Sequence, residues 1–192
     1  MANVVEKYGL RPVRKLDGSP FINAQNRYRI AANYGTPIYQ GDLVKPVTGG
    51  GIQRAVANTS DLVVGVFNGV FYTDPTTQKP TWKNYYPGTV NASDIVATII
   101  DDPDVVYSID SDGAFAVADI FKNFAITNAG GSTLSGISQV QLDYSVSGLT
   151  TSGTVLQAID ISQDTRSDTA GSVNVDVLVR INNHFYAQGT GI

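Results

Sequence analysis

The chain has 192 residues, with no cysteine and a single histidine. A chain of this length forms one domain of ordinary size or two small ones, and the lack of cysteine excludes disulfides, thiolate metal sites and cysteine nucleophiles. The net charge of −4 is unevenly distributed, because residues 1–54 carry +5 (eight basic against three acidic residues) and residues 55–192 carry −9 (five against fourteen).

The first 33 residues show no clean periodicity and are predicted to form an extended, basic N-terminal arm. Glycine and proline recur in this segment, at Gly9, Pro12, Gly18 and Pro20, and would break any helix. The arm also contains apolar residues, which a partner or the chain's own body should cover. Its candidate partner-binding residues are Arg11, Arg14, Lys15, Arg27, Tyr28 and Arg29.

The charge distribution favours an acidic protein surface as the partner of this arm. Nucleic acid is not expected as a partner, because the acidic remainder of the chain would repel phosphate. A membrane is not expected either, since every apolar stretch is too short to span one. The N-terminus shows no basic start followed by an apolar core, so we expect no signal peptide and synthesis in the cytoplasm.

Residues 34–192 are predicted to form a β body. The stretch Leu62–Tyr72 carries apolar residues on both faces, which predicts a central strand that is covered on both sides. Asp112-Gly113 is a hairpin signal between Val105–Ile109 and Ala114–Val117. Apolar and polar residues alternate strictly from Val173 to Ile181, which predicts a half-buried strand.

These patterns predict an all-β fold, with under about a tenth of the residues in helix against a usual third. Only residues 118–124 suggest a helical turn. Turn signals recur about every ten residues, as is typical of a β-sandwich or a β-barrel. The Gly/Ser-rich loop at residues 128–136 is the best place for a seam between sub-domains.

The residues that could support catalysis or bind a metal are few, and we predict neither an enzyme nor a cofactor. His184 is interpreted as a polar residue that ends the last strand, because no Gly-x-Ser-x-Gly sequence supplies a nucleophile for it. Read as a calcium loop that begins at Ser108, the chain has carboxylates at Asp110, Asp112 and Asp119. The first and last ligands are atypical, so a hairpin turn with solvated carboxylates is the favoured interpretation.

An aromatic cluster lies between residues 72 and 86 and includes Trp82, Tyr85 and Tyr86. Such a cluster is more often part of a core or a protein interface than a ligand platform. A carbohydrate-binding β module or glycosidase that uses Trp82 stays open as an alternative.

Three groups of segments, taken in order, resemble the head-decoration (capsid cement) proteins of tailed bacteriophages. The first group is Tyr39-Gln-Gly-Asp-Leu-Val-Lys with Gly51-Ile-Gln-Arg-Ala and Leu62-Val-Val-Gly-Val-Phe-Asn-Gly-Val. The second is Ala118-Asp-Ile-Phe-Lys-Asn-Phe with Gly131-Ser-Thr-Leu-Ser-Gly-Ile-Ser and Val140-Gln-Leu-Asp. The third is Val177-Leu-Val-Arg-Ile-Asn-Asn-His.

The resemblance implies a β-barrel or β-tulip body that forms oligomers, commonly trimers, on the outside of the capsid and performs no catalysis. The expected partners are the major capsid protein and further copies of the same chain, and the expected location is the exterior of the virion. A different virion component, such as a fibre or tail protein, is the alternative within the structural class. The family has no catalytic motif to transfer to this sequence.

Overall fold

A computed structural model describes residues 3–56, 61–145, 154–163 and 166–187. Within these ranges, 41% of the residues are in β structure and 4% in helix, so the prediction of an all-β fold is confirmed. The helical residues form two single 3-10 turns, Val117–Asp119 and Phe185–Ala187. In chain order the described strands are β1 (Arg11–Lys15), β2 (Asn26–Arg29), β3 (Leu43–Val47), β4 (Gly51–Arg54), β5 (Gly65–Thr73), β6 (Pro80–Lys83), β7 (Val96–Ile100), β8 (Val105–Asp110), β9 (Asn123–Ile126), β10 (Leu142–Asp143), β11 (Leu156–Ile161) and β12 (Asp176–Ile181).

The strands form two antiparallel sheets. The first sheet has the order β1-β8-β12-β11-β9-β10, and the second has the order β2-β7-β5-β3-β4, with β6 paired to the far half of β5. Along the named strands, the chain passes between the sheets twice, first between β1 and β2 and again at the turn formed by residues 101–104, between β7 and β8. No local pattern in the sequence indicates that the two strands flanking this turn belong to different sheets.

Strand β5 occupies the centre of the second sheet, as its apolar residues on both faces predicted. Val66 packs in one hydrophobic cluster together with residues of the first sheet. Phe67 and Val70 belong to a second cluster on the opposite face. Asn68 lies in a bulge between the two registers of the β5–β7 pairing.

The predicted last strand is confirmed over Asp176–Ile181. Val175, Val177, Val179 and Ile181 are buried in the first cluster, whereas Val173 precedes the strand and is half exposed. The alternation therefore corresponds to a sheet with one face in the core.

The predicted hairpin at Asp112-Gly113 is wrong. Strand β8 pairs with β1 and β12, and residues 114–116 form no strand. Phe115 is instead fully buried in the first cluster, against Phe124 at a ring distance of 5.5 Å. Burial of this aromatic side chain outweighs the local turn preference. A 3-10 turn occupies Val117–Asp119 and overlaps only the start of the helical turn predicted at residues 118–124, whose last two residues belong to β9.

The motif Gly41-Asp42 of the first resembling segment has a structural role. The carboxylate of Asp42 is buried, where Oδ2 lies 3.1 Å from Arg54 Nε and Oδ1 accepts a hydrogen bond of 2.6 Å from Ser138 Oγ. Gly41 adopts φ +96°, and a Cβ there would lie 2.7 Å from the carbonyl oxygen of Tyr8. The motif thus joins the start of β3 to β4, to the N-terminal segment and to the loop before β10.

Candidate interaction surface

The segment predicted as an arm pairs with the body through the edge strands of both sheets. β1 pairs with β8, and β2 pairs with β7. Residues before β1 lie against the first sheet, because Tyr8 Oη lies 2.8 Å from Ser108 Oγ and donates to Asp176 Oδ1 at 2.7 Å. The apolar residues of this segment were expected to be covered either by a partner or by the chain's own body. For Tyr8 and Leu10, which are both buried, the body provides the cover.

The six predicted partner-binding residues fall into two groups. The β1 group comprises Arg11, Arg14 and Lys15. The guanidinium of Arg11 lies 4.3 Å from the ring centre of Tyr8, and Arg14 Nη1 donates to the carbonyl oxygen of Lys15. Lys15 Nζ forms an ion pair with Asp102 at 2.7 Å, which raises the pKa of the lysine and lowers that of Asp102. The charge of Lys15 is therefore compensated within the chain. Among the described residues, neither Arg11 nor Arg14 forms an ion pair, so both can contact a partner's carboxylates.

The β2 group comprises Arg27, Tyr28 and Arg29, and alternation along the strand separates them. Tyr28 packs on the second hydrophobic cluster, and its hydroxyl donates to Asp101 Oδ2 at 2.5 Å. Burial and this carboxylate raise the pKa of Tyr28. Arg27 and Arg29 lie on the opposite face of β2 and are exposed. Tyr28 thus anchors β2, and the two arginines are the members available for contact.

Arg27 and Arg29 share a sheet face with the exposed aromatic residues. Arg29 is opposite Val96, Val96 is opposite Phe71, and Phe71 is opposite Trp82, so a row crosses four strands. The neighbouring row places Arg27 opposite Thr98 and Thr98 opposite Gly69. We call this surface the Arg–aromatic face, and it consists of Arg27, Arg29, Phe71, Trp82, Val96 and Thr98.

The predicted aromatic cluster is divided between this face and the interior. Trp82 is 61% exposed and Phe71 is 44% exposed, whereas Tyr86 is fully buried. Tyr85 stacks on Tyr39 with ring centres 5.7 Å apart. A Cβ at Gly69 would lie 2.8 Å from the Trp82 ring, so the glycine lets the indole lie against the strand.

His184, interpreted from the sequence as a polar residue that ends the last strand, lies three residues after the end of β12 and is fully buried. Its Nδ1 accepts a hydrogen bond from the backbone N–H of Tyr186 at 3.2 Å, and its backbone bridges to Val63. Burial lowers the pKa of the imidazole, against the opposing effect of Asp101 and Asp102. The residue therefore joins the chain after β12 to the segment that leads into β5.

The carboxylates of the calcium-loop alternative have separate partners. Asp112 Oδ1 accepts from the backbone N–H of Tyr144, while Asp119 pairs with Lys122 at 2.7 Å. Asp110 is buried, and its Oδ2 accepts from Gln141 at 2.7 Å. Across the described ranges, no group of three or more His, Asp or Glu side chains is arranged to hold a metal ion.

Comparison with known proteins gave no match among family models, curated protein sequences or solved structures. In the part of the chain that the structure describes, no helix is long and apolar enough to cross a membrane.

Sequence patterns identified the arginines and Trp82 separately but did not place them together. Phe71 was expected in a strand covered on both sides, and it is exposed because the first sheet covers only the other end of β5. The pairing of β2 with β7 and of β6 with β5 could not be read from local patterns.

Proposed function

We propose that this protein is a structural protein of a tailed-phage virion that binds the outside of the capsid and stabilises the shell. The proposal extends to homo-oligomers, with three subunits favoured, and to a non-catalytic role. The segments that resemble decoration proteins supply the family, and the all-β body is compatible with it.

One observation supports attachment to an acidic protein surface. Strand β1 lies at the edge of the first sheet and presents Arg11 and Arg14 beside the half-exposed Val13 and Leu16. The arginines supply salt-sensitive steering toward carboxylates, and the apolar side chains supply burial that salt does not screen. Repetition of such a contact in an oligomer converts weak single contacts into tight attachment.

Purified protein added to undecorated heads should bind and raise the temperature at which the heads release DNA. Replacement of Arg11 and Arg14 with serine should slow association by about threefold to tenfold and weaken its salt dependence, because peripheral charges act mainly on the association rate. Stopped-flow light scattering over a salt series would measure both effects.

The matched control is Lys79→Ser with Lys83→Ser, which removes the same charge from the β5–β6 hairpin. Substitution is preferable to deletion of residues 1–30, because deletion would remove β1, all of β2 and the buried Tyr8 and Leu10. Heads that neither take up the wild-type protein nor gain thermal stability would contradict the proposed function.

The exposed indole of Trp82 favours carbohydrate binding as a second candidate function. The ring lies over Gly69 with its other side open to solvent, and Phe71 is its cross-strand neighbour. A glycan array with wild-type protein and Trp82→Ala would test this alternative. Carbohydrate binding requires that the wild type binds a glycan and that the substitution abolishes the binding.

A further inference from the structure

The Arg–aromatic face continues a surface that is buried at its other end. On β7, Ile100 lies on the same face as Thr98 and Val96, and Ile100 is buried against the first sheet. Val66, which is opposite Ile100, is also buried, whereas Phe71 at the far end of β5 is 44% exposed. One sheet face therefore passes from core to open surface, and the open half carries aromatic side chains.

The composition of the open half is that of a protein interface. Tryptophan and arginine dominate the energetic centres of such interfaces, and other aromatic residues are enriched there. Among the residues that the structure describes, neither Arg27 nor Arg29 forms an ion pair. These two guanidinium groups therefore favour a partner with carboxylates that can pair with them while its surface covers Phe71 and Trp82.

The chain itself carries exposed carboxylates at one end of the first sheet, where the nearby Arg166 is already paired with Glu6. Strands β8 and β11 end there and β12 begins there, and the exposed carboxylates of Asp112, Asp160 and Asp168 surround these strand ends. Ser162 N–H donates to the backbone oxygen of Asp176, and Asp176 N–H donates to that of Ser167, so the segments with Asp160 and Asp168 are neighbours. We call these three aspartates the acidic end.

We propose that the Arg–aromatic face of one copy docks on the acidic end of a second copy. Charge complementarity selects this occupant: two unpaired arginines meet a cluster of aspartates on a chain whose residues 55–192 carry −9. Because the two surfaces differ, the assembly closes either as a reciprocal two-fold pair or, when the contact repeats head-to-tail and the rotation between copies permits, as a ring of three or more. The inference rests on the self-association in the proposed function, but not on attachment to a capsid.

Charge reversal tests the pairing of the two surfaces. Wild-type chain should form a closed oligomer at micromolar concentration by light scattering. Arg27→Glu with Arg29→Glu should weaken association by about thirtyfold or more, and Asp160→Lys with Asp168→Lys should do the same. The chain with all four substitutions reverses both surfaces together and should recover the oligomer. Arg11→Ser with Arg14→Ser is the control and should associate like wild type.

Trp82 provides a second measurement, because it is the only tryptophan in the chain. Its emission should shift to shorter wavelength, and acrylamide should quench it less, as the wild-type concentration rises through the association range. The charge-reversed pairs should retain the spectrum of the dilute protein. Circular dichroism of each variant checks that it is folded.

Four results on the protein alone would overturn the inference. They are a wild-type chain that stays monomeric, a folded Arg27→Glu/Arg29→Glu variant that assembles like wild type, a folded four-site variant that does not recover, and an oligomer in which Trp82 stays as quenchable as in the monomer. A glycan that binds the monomeric chain and protects Trp82 from acrylamide quenching would also overturn it, because the Arg–aromatic face would then be a sugar-binding surface. Attachment to heads is measured separately. A monomer that binds heads therefore overturns this inference and the self-association in the proposed function but leaves attachment standing, whereas an oligomer that does not bind heads overturns only attachment.

Discussion

Gly65→Ala is expected to lower the free energy of unfolding by about 3 kcal/mol or more, or to prevent folding. A Cβ at this position would clash with the carbonyl oxygen of Ile100 and would lie 2.9 Å from the Cα of Asp101. Both are backbone atoms at the end of β7, where the chain leaves for the first sheet, so they have little room to move. Urea denaturation followed by circular dichroism would measure the loss.

Gly35→Ala is the matched control, because no atom lies within 4 Å of a Cβ added there and the position has no left-handed backbone. This substitution should leave stability unchanged or raise it by about 0.4–1 kcal/mol, through the lower entropy of the unfolded chain. Equal stability of the two variants would show that β5 and β7 do not approach as closely as described.

Asp110→Asn is expected to make the protein less sensitive to rising pH. Burial raises the pKa of Asp110 to about 7, and the nearby Asp176 adds to the rise. Gln141 donates to Oδ2, but Oδ1 has no hydrogen-bond partner. The folded state therefore holds a proton on Asp110 that the unfolded chain, with a pKa near 4, releases.

The sign of the effect follows from this difference in bound protons. Below about pH 4 both states hold the proton, and as pH rises toward about 7 the unfolded state becomes relatively more favourable. Wild type should therefore lose up to about 3 kcal/mol relative to Asp110→Asn between pH 5 and pH 8.5. The unpaired amide of asparagine adds a penalty at every pH, so the informative quantity is the change with pH.

Urea denaturation of both proteins at several pH values would give this difference. Asp112→Asn is the control, since Asp112 is exposed and accepts from the backbone of Tyr144. It should follow wild type across the range. A constant gap between wild type and Asp110→Asn would contradict a protonated Asp110.

Local patterns in the sequence predicted the elements in which one physical effect dominates. Strict alternation of valines identified β12, because a strand with one buried face has a period of two. Apolar residues on both sides identified β5, because a central strand is covered twice. The prediction failed at Asp112-Gly113, where a good turn sequence is followed by Phe115, whose burial in the core determines the path of the chain.

The candidate interaction surface was likewise predictable only in part. Charge and composition singled out the arginines of residues 11–29 and the tryptophan, since these properties belong to each residue alone. Whether a basic residue is free depends on what folding brings beside it: Asp102 neutralises Lys15, and Asp101 holds Tyr28 on the inner side of β2.

The sequence by itself determined the fold class, the strands with a clear period and the uneven distribution of charge, because these follow from side-chain chemistry and from the geometry of a single strand. Only the tertiary structure decided which strands are neighbours. Strand pairing joins residues that are far apart in the chain, and its free energy depends on the whole core rather than on any local segment. The row from Arg29 to Trp82, with β7 and β5 between them, is a product of that pairing.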